Sequence, residues 1–531
     1  VSAATTAADR ASTAPLLHER VAQACERWAS ATAVVMGTQS LSYEELERDS
    51  NRLAHLLIGH GVKPGERVCL LQPKSPAAIV SILATLKAGA VYVPLDVASP
   101  AARVRMILDS AQPRVVLGCA AAAKLAHELP PYVLGSVEGD LEGATFGPAD
   151  IETQDDRALP CTSGERDPAH ILFTSGSTGT PKGVVITHAM VTAFLDWALP
   201  YFGHRPGDRI SGHPPLHFDL STFDIYGTLS SGGELHLVGP RVLLPAQLAQ
   251  FIRDAQLTQW FSVPSTFAYM MRGNAIEQDD FPSLERIIWC GEVLPPAVLL
   301  HWMTRVPRSS YTNLYGPTEA TIASSYYTVK QPPQDTNAPI PIGEPCGGEA
   351  IEVLDEQLQP VATDEIGELY IEGVGLSPGY WQDDEKTQAA FIVHPQSGRR
   401  MYRTGDLGRR DEQRILHYVG RADSQIKSRG YRIELGEIET ALSAVAGVAE
   451  CAIVAVPSEG FEGMTICCAW TPRLDAEDLD PPRLRSELTQ SLPSYMLPAR
   501  WLRFEQLPRN VSGKIDRRLL KEQFAEGADR A

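Results

Sequence analysis

No run in this 531-residue chain is apolar for long enough to span a bilayer. The opening VSAATTAADRASTA lacks the apolar core of a secretory signal and reads as a mobile polar tail over residues 1–14. The 9 cysteines include no C-x-x-C pair, and their number is odd. The expectation is reduced, mostly buried thiols in a cytoplasmic protein. Positive charge is in deficit, with 47 Lys and Arg against 65 Asp and Glu and a formal net charge of −18. Such a surface repels phosphate backbones, which argues against a nucleic-acid partner. Any phosphate must then be held locally, against the overall field. There are no internal repeats and no low-complexity stretch beyond the tail.

What is present is ordinary for a globular protein: 44% hydrophobic and 21% charged residues. The length exceeds what one core supports, so two or more domains are expected. Strand and helix patterns alternate from the start. Val68–Leu71, Tyr92–Leu95 and Val115–Leu117 read as strands; Pro76–Lys87 and Ala101–Ser110 read as helices between them. That alternation argues for a mainly parallel α/β sheet. Further strands are expected at Ile171–Phe173, Ile210–Gly212 and Ile287–Cys290. The charged segment Arg421–Glu439 marks a change. Beyond it, Ala452–Val456, Thr465–Ala469 and Trp501–Phe504 read as strands and Leu484–Leu492 as a helix, enough for a small α+β domain of about 110 residues. The expected division is 1–422 and 423–531.

One string carries chemistry by itself: Thr174-Ser175-Gly176-Ser177-Thr178-Gly179-Thr180-Pro181-Lys182-Gly183, after the apolar Ile171–Phe173. Its glycines let the backbone turn sharply and approach an anion; its hydroxyls and lysine supply donors. It is not a G-x-x-x-x-G-K-[ST] loop, because Gly183 follows the lysine where Ser or Thr should stand. Its composition fits a polyphosphate cradle or a flexible surface turn.

This string resembles the signature loop of the acyl-adenylate-forming superfamily. Other strings resemble its amino-acid-activating branch, in order along the chain: LSYEEL from Leu41, LKAGAVYVPLD from Leu86, Phe218-Asp219-Leu220-Ser221, Asn313-Leu314-Tyr315-Gly316-Pro317-Thr318-Glu319, GEL from Gly367 to GYW ending at Trp381, YRTGDL from Tyr402, GRAD from Gly420, LPSYMLP from Leu492 and SGKIDR from Ser512. The resemblance implies an α/β fold. Its large N-terminal domain has mixed, mainly parallel sheets flanked by helices, and a small mobile α+β C-terminal domain follows. It also implies ATP and Mg2+ as cofactors.

Residue roles follow from the resemblance. Lys514 would reach the substrate carboxylate and the α-phosphate. Glu319 would hold magnesium, with Thr318 beside it as a catalytic residue. Thr174 to Gly179 and Lys182 would hold the phosphates. Tyr315 would stack on adenine, near Asn313, Gly316, Gly291 and Glu292. Asp406 would bind both ribose hydroxyls, with Tyr418 and Arg421 as further nucleotide contacts. Asp423 would be the hinge of a small domain that rotates between two half-reactions, carrying Lys514 out and opening a tunnel for a phosphopantetheine thiol.

Asp219 would pair with the substrate ammonium; the lesser alternative is a helix N-cap. The pocket positions fall on Leu220, Phe223, Thr266, Ile288, Cys290, Leu314, Ile322 and Ala323. None is charged, so a small aliphatic amino acid is expected. The run from Phe218 to Gly227 resembles stand-alone enzymes that activate β-amino acids for macrolactam polyketides, which favours a short β-amino acid such as 3-aminobutanoate. The rival readings are a small α-amino acid, an acyl-CoA synthetase, and a non-catalytic nucleotide-binding module. With no carrier-domain serine motif after Lys514, the expected acceptor is a separate acyl or peptidyl carrier protein.

Overall fold

The computed structural model describes residues 15–176, 179–335, 338–458, 463–473, 479–510 and 514–526. The polar tail assigned to 1–14 lies outside these residues. The large domain is built around a nine-stranded and a six-stranded sheet, with a helix buried between them. That helix, Pro76–Lys87, starts from Ser75, whose side chain accepts from the Ala78 N–H, and has Pro76 in its first turn. It is apolar nearly all round and is buried on every face except at Ala77. It packs on strands Thr32–Met36 and Gln39–Ser42 of one sheet and on Arg67–Leu71 and Val91–Pro94 of the other. Apolarity on every face is what this position between two sheets requires.

The nine-stranded sheet carries three adjacent parallel strands, Gln259–Ser262, Arg286–Cys290 and Ser310–Tyr315. Their register sets Ile288 beside Phe261 and Thr312, and Cys290 beside Leu314. Their carboxyl ends thus share one edge, where open α/β sheets bind ligands. The six-stranded sheet pairs Arg67–Leu71 in parallel with Val91–Pro94 and Val115–Gly118, as the alternating pattern predicts. A third sheet, with the long strand Arg400–Arg410 at its centre, closes the domain.

The small C-terminal domain opens with a hairpin, Gln425–Ser428 with Tyr431–Glu434. A three-stranded sheet, Val448–Pro457, Met464–Pro472 and Arg500–Arg503, follows and is covered by Leu435–Ser443. Ile438, Leu442, Cys468 and Trp470 form its core. The helix expected at Leu484–Leu492 runs Pro481–Leu488 instead. Asp480 caps it and Pro481 starts it, while Pro493 disfavours helical backbone at Leu492. Among the described residues, no helix is long and apolar enough to cross a membrane.

Candidate active site

The Ser/Gly loop is a hairpin tip. Strand Pro168–Thr174 pairs antiparallel with Lys182–Thr187, with Thr174 opposite Lys182. A Cβ on Gly176 would lie 2.0 Å from the Thr180 carbonyl oxygen, so the turn admits only glycine there. Thr174 and Ser175 line a cavity of about 110 Å³ with Asp219, Leu220, Cys290, Gly291, Gly316 and Thr318. Asp406 and Arg421 line it as well. Ser177 and Thr178 lie outside the described residues; Gly179 turns the loop at φ +83°.

Glu319 is fully buried, in a short helical turn after Pro317. Its carboxylate takes Lys182 Nζ at 3.2 Å, the Tyr380 hydroxyl at 2.8 Å and Arg432 at 2.7 Å. Burial alone would raise its pKa. The Arg432 and Lys182 cations overcome that and hold it well below the usual carboxylate range. Lys182 itself is shifted downward by burial and by Arg432.

Asp219 follows a loop pinned from below. The half-buried Lys74 Nζ donates to the carbonyls of Gly212 and His213 at 2.6 Å and of Pro214 at 3.3 Å. Asp219 stands at a helix start, but its side chain makes no capping hydrogen bond. It faces the cavity instead, and burial pushes its pKa up to about 6 despite Thr318 and the Leu220 N–H. Leu220, Phe223, Ile288, Cys290, Leu314, Ile322 and Ala323 join in one buried cluster. Thr321 and Ile322 sit at φ +55° and +67°, a strained conformation for β-branched residues. Thr321 Oγ1 fixes it by donating to the Gly375 carbonyl at 2.8 Å.

Tyr315 donates its hydroxyl to Asp406 at 2.6 Å, and Arg421 reaches the other Asp406 oxygen at 2.7 Å. Arg421 also binds Asp423, with Nε at 2.9 Å. Tyr418 packs toward Tyr315, with ring centroids 6.5 Å apart.

Phe223, Ile288, Leu314, Ile322, Ala323, Tyr315 and Tyr418 do not line the cavity at Asp219, and Thr266, Asn313, Glu292 and Lys514 stand apart from it. Thr266 lines a second cavity, of about 250 Å³, with Pro214, Tyr269, Arg429 and Tyr431. Asn313 donates to the Pro341 carbonyl at 2.8 Å, away from the cavity. Glu292 is occupied by the N–H groups of Gly430 and Ser265. Lys514 is exposed, on a turn that its backbone closes with Asn510, and lines neither cavity.

The hairpin of the small domain lines the cavity. Lys427 lies 5.6 Å from the centre of the Tyr315 ring, and Gly430, Tyr431 and Arg432 line the wall. Sequence reasoning missed Lys427, Arg432 and Tyr380. The charge density of Arg421–Glu439 was visible, but it signalled a domain change rather than a site.

Family models match both parts of the chain: AMP-binding enzyme over residues 21–381, and AMP-binding enzyme C-terminal domain over 437–514. Tyrocidine synthase 3 of Brevibacillus parabrevis is 36% identical over 96% of this chain, and the match covers 8% of that protein. The chain spans 6 to 39% of the length of the curated relatives it matches. Among solved structures, the Vibrio cholerae adenylation domain AlmE in complex with glycyl-adenosine-5'-phosphate is similar at 27% identity and TM-score 0.84, covering 96% of this chain and 98% of that one. NpsA-ThdA, an artificially fused adenylation-PCP di-domain from Klebsiella oxytoca, is 25% identical at TM-score 0.80, covering 93% and 94%.

Proposed function

Because the chain belongs to the AMP-binding enzyme family, we propose that it activates a small aliphatic amino acid as the acyl-adenylate and passes the acyl group to a carrier thiol. Asp219 carries this reading: a carboxylate on the cavity wall, next to the apolar Leu220 and Cys290, suits an ammonium that would otherwise be costly to bury. The carboxylate oxygen of the substrate attacks the α-phosphorus of ATP, and the bond to pyrophosphate breaks. A thiolate then attacks the acyl carbon, the bond to the AMP oxygen breaks, and the thiol proton goes to solvent.

The residues fit magnesium and a polyphosphate. Glu319 offers the hard oxygen that magnesium prefers, and the Gly176 N–H, which here donates to a carboxylate oxygen of Glu437 at 3.2 Å, is a backbone donor suited to an anion. Bound there, magnesium would neutralise charge that shifts among the phosphate oxygens. Thr174, Ser175, Gly179 and Lys182 hold the phosphates in this reading, with Gly291, Gly316, Asp406, Tyr418 and Arg421 around the nucleoside. Lys514 serves the first half-reaction from a different placement of the small domain. Asp423 is the boundary and hinge, released when its contact with Arg421 breaks. The present placement suits the second half-reaction. The cavity beside Thr266 meets the first at Phe218 and Tyr431, which line both, and gives a phosphopantetheine arm a route to the acyl carbon.

Within this reading we favour a short β-amino acid such as 3-aminobutanoate, on the likeness of the Phe218–Gly227 run, and a separate carrier protein. ATP–pyrophosphate exchange with 3-aminobutanoate, β-alanine, 2-aminobutanoate, alanine, valine and amine-free acids is the test. Exchange with 3-aminobutanoate and little with 2-aminobutanoate is expected. Exchange only with α-amino acids would discard the β assignment, and exchange with the amine-free acids would discard the role of Asp219.

A further inference from the structure

Among the described residues, His18, Glu19 and Cys161 each offer one metal-ligand atom, and these atoms all lie within 4.8 Å of one another. None of the three lines either cavity. His18 and Glu19 stand in the first turn of helix Leu17–Arg27. Cys161 comes from a separate segment, ahead of strand Pro168–Thr174, which leads into the Ser/Gly loop. Helix His188–Phe202 holds that segment: its His188 and Ala189 N–H groups donate to the Asp167 and Glu165 carbonyls at 3.3 and 2.7 Å. The His18 ring meets the His188 ring edge-on, with centroids 5.7 Å apart. His18 is 6% exposed, and its Nδ1 is buried without a hydrogen-bond partner among the described residues. A buried polar atom left unpaired is costly and calls for a ligand. Burial also keeps the imidazole neutral, with its pKa lowered to about 4, and neutral imidazole is the form that binds a metal.

We propose that His18, Glu19 and Cys161 bind one zinc ion, which ties helix Leu17–Arg27 to the segment entering strand Pro168–Thr174. The donor set selects the metal. An imidazole nitrogen, a carboxylate oxygen and a thiolate sulfur suit zinc, whereas magnesium and calcium take oxygen ligands. The carboxylate and the thiolate offset the two charges of zinc, so no net charge is placed beside the buried imidazole. Lys87, the nearest cation acting on His18, is already paired with Glu47 at 2.8 Å. Glu19 also caps its helix, with Oε2 accepting from the Leu16 N–H at 2.8 Å. A carboxylate has lone pairs enough for both tasks. Cys161 Sγ lies 3.7 Å from the Ser163 carbonyl oxygen, a weak contact that the thiol gives up when zinc displaces its proton to solvent. Cys161 and Glu19 are both half-buried, so a metal can enter and a water can fill the fourth tetrahedral position. The site is separate from the adenylation chemistry and does not rest on that reading.

The test uses the full chain in reducing buffer, stripped with a chelator and then titrated with zinc against a chromogenic competitor. The wild type should take up a single zinc with a Kd below about 1 μM. Cobalt in place of zinc should give the visible bands of a tetrahedral ion and a near-ultraviolet thiolate-to-cobalt band. Cys161→Ser should remove the near-ultraviolet band and weaken zinc at least about tenfold, the least that residues merely supporting a ligand are worth. Its loss in that variant also separates this site from Cys290 on the first cavity. Glu19→Gln should weaken zinc while keeping the band. Zinc should raise the unfolding temperature of the wild type and leave that of Cys161→Ser unchanged. If Cys161→Ser does not fold, the wild-type cobalt band and Glu19→Gln decide. No zinc uptake in that range, a cobalt spectrum without the thiolate band, or equal zinc affinity in the wild type and either variant overturns the proposal.

Discussion

Asp219 makes the adenylation reading measurable through pH. Burial raises its pKa to about 6, so an ordinary carboxylate becomes a group that titrates near neutrality. The sign follows from which form binds. An ammonium pairs with the carboxylate, so affinity is full above pH 6 and is lost as pH falls through that value. Below it, apparent affinity should drop about tenfold per pH unit, because one proton must leave for each ammonium bound. Between pH 8 and pH 5 the KM for the amino acid should therefore rise about tenfold. The assay is ATP–pyrophosphate exchange against amino-acid concentration at each pH, with ATP saturating. Asp219→Asn should remove the dependence. It should also cost about 3–5 kcal/mol of binding, the range for breaking a buried charge pair. A KM that is flat from pH 5 to 8, or an Asn variant with near-native KM, would refute the argument.

Lys514→Ala should lower ATP–pyrophosphate exchange at least about 100-fold, the usual scale for losing a charge aimed at the transition state. The same variant should spare thiol transfer from supplied acyl-adenylate in single-turnover assays, and equal loss of both steps would count against it. Gly430→Val should do the reverse. Gly430 sits at φ +81°, and a Cβ there would lie 2.8 Å from Val263, so the hairpin could not seat against the large domain. Leu220→Ala should shift selectivity toward longer side chains by roughly 1–3 kcal/mol, read as a ratio of kcat/KM values.

The fold was legible where one physical rule dominates. Pro76–Lys87 is capped by Ser75, starts with proline and is apolar all round, so its bounds agree with the sequence reading. The helix at Pro481–Leu488 was displaced because Leu484, Leu488 and Leu492 are all apolar and periodicity alone runs through to Leu492. Leu492 is buried after the helix has ended, so its apolarity serves the core rather than the helix.

The site was legible only on the side built by continuous strings. Asp219, Glu319 and the glycine loop each announce themselves by residue type and neighbours. Lys427 and Arg432 do not, because nothing local distinguishes them from the other charges between Arg421 and Glu439. What singles them out is the partner across the domain boundary: the Tyr315 ring for one and the Glu319 carboxylate for the other. The same argument explains Lys514. A residue whose role depends on where a domain stands can be recognised by its motif while the structure places it outside the cavity, and its place is then held by residues with no motif to name them. On the reading proposed above, motif residues and wall residues would be different sets in each placement of the small domain, and single substitutions should separate the two half-reactions along that line.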